Sequence, residues 1–351
     1  MRVQSGVTAV LASATLFGAS TPFARALVGG VDPLWLAGLL YAGSGIGLSL
    51  LLVLRHAGVA GEHQRVVGIA RGDLPWLAFS ILAGGIVAPV LFTFGLRSTP
   101  GATASLLLNL ETVLTVVIAW FVFREHRNWR VVTGMALIVA AGVLLAGAGE
   151  GFGVGSGAAL IALACLAWAA DNNSTRRVAG NDAMLIAAAK GLVGGAVNIG
   201  LAVLLAGAVP SSASALAAAG VGFFGYGVSL MLFVVALRNL GTARASAYYG
   251  IAPFVGVAVA FGLLGERPDV TFWAAAALMA VGIWLHLTER HGHSHAHDPL
   301  SHTHAHRHDA HHRHEHAFEW DGHEPHTHPH DHEAVVHDHP HTPDLHHRHG
   351  H

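Results

Sequence analysis

The segment LRSTPGATASLLLNLETVLTVVIAWFVFRE, Leu96–Glu125, decides the reading of this chain because it occurs twice. Moved forward by 141 positions it lies on LRNLGTARASAYYGIAPFVGVAVAFGLLGE, Leu237–Glu266. Identities fall at Leu96/Leu237, Arg97/Arg238, Ala102/Ala243, Ala104/Ala245, Ser105/Ser246, Val116/Val257, Ala119/Ala260 and Glu125/Glu266. In a segment rich in Ala and Leu the informative matches are the Arg, the Ser and the Glu, which recur at identical spacing around an apolar run of membrane length. A second match, Leu16–Ala19 through Arg25 against Leu166–Ala169 through Arg176, has an offset near 151, so the halves differ by small insertions. Self-similarity at this length is far beyond a solenoid period and marks a duplicated domain. In an apolar chain, duplication points to a transporter.

The chain is apolar enough to belong in a bilayer. Of its 351 residues, 53% are hydrophobic and 11% charged, with net charge −2 and a mean hydropathy of +0.51, outside the range of ordinary soluble domains. The average hides two regions, because the last 61 residues, His291–His351, hold 24 of the 28 histidines. The single cysteine, Cys165, excludes an intramolecular disulfide and reads as a small core residue. The apolar start Gly6–Leu27 lacks a small-residue cleavage site and reads as a first span rather than a signal peptide.

Ten runs are long enough to cross the hydrocarbon layer. They lie near 6–28, 34–54, 74–96, 100–123, 130–148, 157–176, 183–208, 212–237, 241–264 and 270–288. Asp32-Pro33, Asp73 with Pro75, Ser211 and Asp269 are helix-start signals. The expected organisation is a five-helix repeat over 1–148, a Gly-rich linker 149–156, a second five-helix repeat over 157–288 and a tail 289–351. Five is odd, so the second repeat enters the membrane in the opposite sense. With the amino terminus inside, twelve arginines fall on inner loops or helix ends, while outer loops carry only Arg97 and Arg267. The positive-inside rule then places both termini in the cytoplasm of a cell whose cytoplasmic (inner) membrane holds the chain. His56, His63, His126, His286 and the tail all fall on the cytoplasmic side.

The duplicated set of Leu-Arg, a small-residue run with Ser105 or Ser246, Pro253 and a closing Glu125 or Glu266 resembles the EamA family of the drug/metabolite transporter superfamily. The resemblance covers about residues 5–288 and implies an all-α fold of ten transmembrane helices in two inverted five-helix repeats. It also implies secondary transport of small solutes without ATP hydrolysis. Where the second copy has Ala252-Pro253, as the family commonly does, the first has Glu111-Thr112. Helix six departs further, with Asp171-Asn172-Asn173.

Glu111 is the leading candidate in the membrane body, because a carboxylate at mid-helix costs about 2.5–3.5 kcal/mol on insertion scales and must face a cavity or a partner. It reads as a cation ligand or a proton-coupling group, against the plainer alternative of a carboxyl hydrogen-bonded within the bundle. Asp171, Asn172 and Asn173 sweep about 200° of a helix, so at most two share a site. One carboxylate with amide oxygens would suit a hard or borderline cation. The competing reading pairs Asp171 with Lys190 at similar depth on helix seven. Asn198 is a solute contact or an interhelical hydrogen bond, while Gly191 and Gly195 permit close helix approach. Glu125 and Glu266 read as helix caps or arginine partners, and the tryptophans as interface anchors.

The tail repeats histidine at every second position: His291, His293, His295, His297; His302, His304, His306, His308; and His326, His328, His330. In an extended chain such residues share a side, and neutral imidazoles there suit zinc, nickel, copper and cobalt. Proline and charge exclude a packed core, so the tail is expected to be disordered until metal binds.

The sequence therefore leads to an inner-membrane secondary transporter, with divalent nickel, cobalt or zinc gathered by the tail and exported. No resident cofactor is required. An exporter of amino acids, metabolites or drugs, with the tail as metal buffer or sensor, is the alternative; a membrane-anchored metal sensor or store that transports nothing is a second. The implied partners are the lipid bilayer and a small solute or metal ion, with a homodimer left open and nucleic acid not among them. The chain shows no nucleophile–base set, phosphate loop or cofactor fingerprint, which argues against an enzyme.

Overall fold

A computed structural model describes residues 2–57, 71–123, 129–147, 155–178, 182–240, 248–288, 292–297, 300–306, 326–332 and 335–340. His63, His126, Glu125, Ser246, most of the Gly-rich linker, His291 and His308 lie outside these. Among the described residues of the body are ten helical rods. They are α1 (Arg2–Val28), α2 (Pro33–His56), α3 (Arg71–Leu96), α4 (Gly101–Leu107, resuming as Asn109–Phe123) and α5 (Trp129–Gly147). The second set is α6 (Ser156–Val178), α7 (Ala183–Leu205), α8 (Ser212–Leu240), α9 (Ala252–Leu264) and α10 (Val270–Leu287). Seven are both long and apolar enough to cross a membrane, and α9 and the apolar part of α10 are shorter.

The starts follow the local chemistry. Asp32 accepts from the Leu34 N–H with Pro33 at the first turn, Ser211 accepts from Ser214, and Asp269 accepts from Phe272, each satisfying an amide the helix leaves free. Asp73 precedes Pro75 without a side-chain cap bond. Asp182, not foreseen as a start, caps α7 through Met184 and Leu185.

The packing of one half has its counterpart in the other. Thus α1 lies on α8 and α9, α6 lies on α3 and α4, α2 crosses α7, and α5 runs along α10. Glycines make the α2–α7 crossing a backbone contact: a Cβ built on Gly191 would stand 2.5 Å from the Gly45 nitrogen, and one on Gly195 2.5 Å from the Ala42 nitrogen. Small residues of this kind let membrane helices approach closely without a hydrophobic driving force. The outside of the bundle is apolar, with Leu204, Leu205, Leu216 and Val270 widely exposed. Trp76, Trp129, Trp273 and Trp284 are exposed, whereas Trp35 is buried and Trp168 lies inside the bundle, so these two are not interface anchors.

Two features escaped the sequence reading. Ile81–Val87 in α3 and Phe223–Val228 in α8 are π-helical and occupy corresponding places in the two halves. A π turn widens the helix and frees carbonyls, often at functional positions. In addition, α4 is interrupted at Leu108.

The tail forms a separate unit. Its described residues form four short strands: β1 (Gly292–His297) antiparallel to β4 (Val335–Pro340), and β2 (Leu300–His306) antiparallel to β3 (His326–His332). The physical reason is the period: alternation at every second residue is the period of a strand. In β2 and β3 it sets His302 opposite His330, His304 opposite His328 and His306 opposite His326. In β1, His293 and His295 face His339 and His337, while His297 faces Val335.

Candidate functional site

Glu111 stands ~15 Å from the start of α4 at 1.5 Å per residue. Because α4 breaks at Leu108, Glu111 falls in the first turn of the resumed helix, where free amides favour a negative charge. Its N–H turns back to the Leu108 carbonyl at 3.1 Å. The break also leaves the Leu107 carbonyl to accept from the Cys165 thiol at 3.7 Å. Cys165 itself is fully buried, as a small core residue should be.

The Glu111 Oε1 accepts from Asn172 Nδ2 at 2.8 Å, and the same amide reaches Thr115 Oγ1 at 3.4 Å. Its other oxygen, Oε2, has no hydrogen-bond partner among the described residues. Glu111 keeps intermediate exposure and Asn172 is exposed. Glu111 is thus an interior carboxylate held through one oxygen.

Asp171 faces the other way. Lys190 Nζ donates to both its oxygens, at 2.7 and 2.6 Å, Thr175 Oγ1 donates to Oδ1 at 2.9 Å, and Ser80 Oγ donates to the same oxygen. Asp171 is 4% exposed. Of the two readings left open by the sequence, the structure has the ion pair. Successive residues on α6 point about 100° apart, so Asp171 meets α3 and α7 while Asn172 meets α4. No group of three or more His, Cys, Asp or Glu able to hold a metal occurs among the described residues.

The amides divide similarly. Asn173 Nδ2 donates to the carbonyls of Thr115 at 3.1 Å and Ala169 at 2.8 Å, joining α6 to α4. Asn198, fully buried, donates to the Gly85 carbonyl at 3.1 Å, so it is an interhelical bond to the π turn of α3; its Oδ1 has no partner among the described residues. Next to it, the Gly84 carbonyl accepts from the Tyr41 hydroxyl and, at 3.2 Å, from Trp168 Nε1.

These aromatics were missed. Tyr41 and Tyr226 have ring centroids 5.8 Å apart, and Phe17 lies 6.1 Å from Tyr226 and 5.8 Å from Tyr249. The available signal was position, since Tyr41, Trp168 and Tyr226 sit mid-helix rather than at helix ends. At one end of the bundle Glu266 caps α4, its two oxygens accepting from Gly101 N–H at 2.6 Å and Ala102 N–H at 2.8 Å. A cavity of about 400 Å³ lies beside that cap, lined by Ser98, Thr99, Glu266 and Arg267.

A bundle of long apolar helices with buried polar side chains defines a multi-pass membrane protein. The profile of the EamA-like transporter family matches residues 4–147 and again 155–288, and the chain belongs to that family. An uncharacterized transporter of Methanothermobacter thermautotrophicus is 25% identical over 299 residues, 81% of this chain and 87% of that one. A probable terminal-alkyne amino-acid exporter of Streptantibioticus cattleyicolor is 26% identical over 251 residues, 70% of this chain and 84% of its own. A solved crystal structure at 20% identity superposes with a TM-score of 0.59 over 81% of this chain and 96% of its own, which shows a shared fold.

Proposed function

We propose that this protein is an inner-membrane secondary exporter of a small organic solute, in the class of amino acids, metabolites or drugs. Its two inverted five-helix repeats, 1–148 and 157–288, are joined by the linker 149–156, with both termini cytoplasmic, and solute passes between them at the level of Glu111. The observation that carries this is the Glu111 carboxylate: deep in α4, held by Asn172 through one oxygen and open at the other. Corresponding packing in the two halves and the paired π turns support an exchange of access by rocking one repeat against the other. The name of the Streptantibioticus relative supports an organic cargo.

Metal efflux, the cargo suggested by the tail, is less well supported, since the Asp171 carboxylate is taken by Lys190. The tail acts instead as a buffer or sensor of nickel, cobalt or zinc, a role supported by the pairing of histidine with histidine in the register of β2 and β3.

The test is uptake into inverted vesicles holding the full chain, the chain without residues 289–351, or Glu111→Gln. Labelled amino acids and nickel, cobalt and zinc are offered in turn. Organic flux that survives loss of the tail and disappears with Glu111→Gln is expected. Metal flux with that same pattern, and no organic flux, would restore metal as the cargo.

A further inference from the structure

We infer that the first segment of α4, with the turn before it, is the gate at one end of the bundle, and that Glu266 and Arg25 hold it shut. This rests on the reading above that the two halves exchange access. The helices sort into groups: α1 packs with α8 and α9, while α6 packs with α3 and the second segment of α4. The first segment, Gly101–Leu107, joins these groups. It continues into the helix that lies on α6, yet its own packing is chiefly on α9 and α1.

Two side chains of the α1 and α9 group grip this turn. Glu266, just past α9, accepts from the Gly101 N–H at 2.6 Å and the Ala102 N–H at 2.8 Å. Arg25 of α1 donates through Nε to the Thr99 carbonyl at 3.1 Å. A carboxylate thus takes the donors of the turn and a guanidinium its acceptor. Beneath them the helices lie flush: a Cβ built on Gly256 of α9 would stand 2.5 Å from Ser105 Oγ of α4. Ser105 is accordingly 1% exposed.

The grip can be released and the segment can swing. Glu266 keeps intermediate exposure and borders the cavity of about 400 Å³, so water can replace the bonds it gives up. The buried Asp171–Lys190 pair has no such exchange. At the other end of the segment the Leu106 carbonyl accepts from Asn109 Nδ2 at 3.0 Å and the Leu107 carbonyl from Cys165 Sγ at 3.7 Å. Side chains that take helix carbonyls are a cause of bending. A swing at Leu108 carries the first segment off α9 and leaves the second on α6.

The experiment follows Ser105→Cys in a Cys165→Ser background, labelled by a membrane-impermeant maleimide in right-side-out and in inverted vesicles holding the full-length chain. Labelling from the outer side should be slow, and Glu266→Ala should speed it about tenfold or more, since two charge-assisted bonds are lost. Ala202→Cys, equally buried but on α7, should stay slow with or without Glu266→Ala. An unchanged Ser105→Cys rate, or an equal rise at Ala202→Cys, overturns the gate. Acceleration confined to inverted vesicles keeps the gate and moves it to the cytoplasmic side. A lock gives the second measurement: Cβ atoms at positions 101 and 260 lie 3.6 Å apart, within disulfide range. Oxidised Gly101→Cys with Ala260→Cys should stop the flux of labelled amino acids, and reductant should restore it. Flux through the oxidised protein overturns the gate while the transporter reading stands. If the reduced protein moves no amino acid, the cargo reading fails and the labelling rates decide the gate.

Discussion

Replacing Lys190 by methionine keeps the length of the side chain but removes the ammonium that holds Asp171 at 2.7 and 2.6 Å. The carboxylate left behind is 4% exposed, and water cannot take over. Breaking a buried ion pair from one side costs about 3–5 kcal/mol, because the remaining charge is uncompensated. Ser80 and Thr175 still donate to Asp171, which holds the loss to about 3 kcal/mol. At about 2 °C per kcal/mol, the low end for large chains, the apparent melting midpoint should fall by ~6 °C. Cys165 gives the assay: it is the chain's single cysteine and is fully buried, so a thiol-reactive dye reports opening of the bundle on heating. The double variant Asp171→Asn with Lys190→Met removes both charges and should recover most of the midpoint. A double variant no more stable than Lys190→Met alone, or a single variant with an unchanged midpoint, would refute the pairing and return Asp171 to the list of cargo ligands.

Further outcomes follow from the same structure. Gly191→Leu pushes a side chain against the Gly45 backbone and should cost about 3 kcal/mol or more, seen as loss of the monodisperse peak in size-exclusion chromatography. Gly200→Leu, where a Cβ meets nothing within 4 Å, should elute unchanged. Glu266→Ala frees the Gly101 and Ala102 amides and should cost about 1 kcal/mol; hydrogen exchange at these two amides should accelerate, and unchanged protection would contradict the cap. Asp182, ahead of α7, is bound by Arg55 at 2.8 Å. Burial acts to raise its pKa, but the Arg55 hydrogen bond, the Met184 N–H and the Arg55 charge outweigh it and hold the carboxyl below the usual range. Its stabilising contribution is therefore present above the ordinary aspartate pKa of about 4 and is lost as pH falls through the depressed folded value. Asp182→Asn should flatten the acid limb of stability against pH, and an unaltered limb would show that the ion pair contributes nothing.

Much of the fold was legible because its determinants are local. Apolar runs of membrane length, the capping residues Asp32, Ser211 and Asp269, and the recurrence of an Arg-to-Glu segment depend on neighbours in the chain. Glu111 was legible for a related reason: a carboxylate placed amid Leu and Val is conspicuous without knowing its partner. The π turns were not, since Gly84-Gly85 and Gly225-x-Gly227 only permit a widened helix, and it is the Tyr41 and Trp168 donors that occupy the Gly84 carbonyl. The tail's alternation was read for its side chains alone, although the same period favours strands.

By itself, then, the sequence determined an apolar body with ten runs of membrane length, a carboxylate inside the fourth of them, and a histidine-rich tail. Only the tertiary structure decided what Asp171 and Asn172 do. They are adjacent in sequence, yet one closes on Lys190 and Ser80 and the other on Glu111. The helical turn between them directs neighbours to different helices, and the partners that set their chemistry, such as Ser80 and Glu111, lie 91 and 61 positions away.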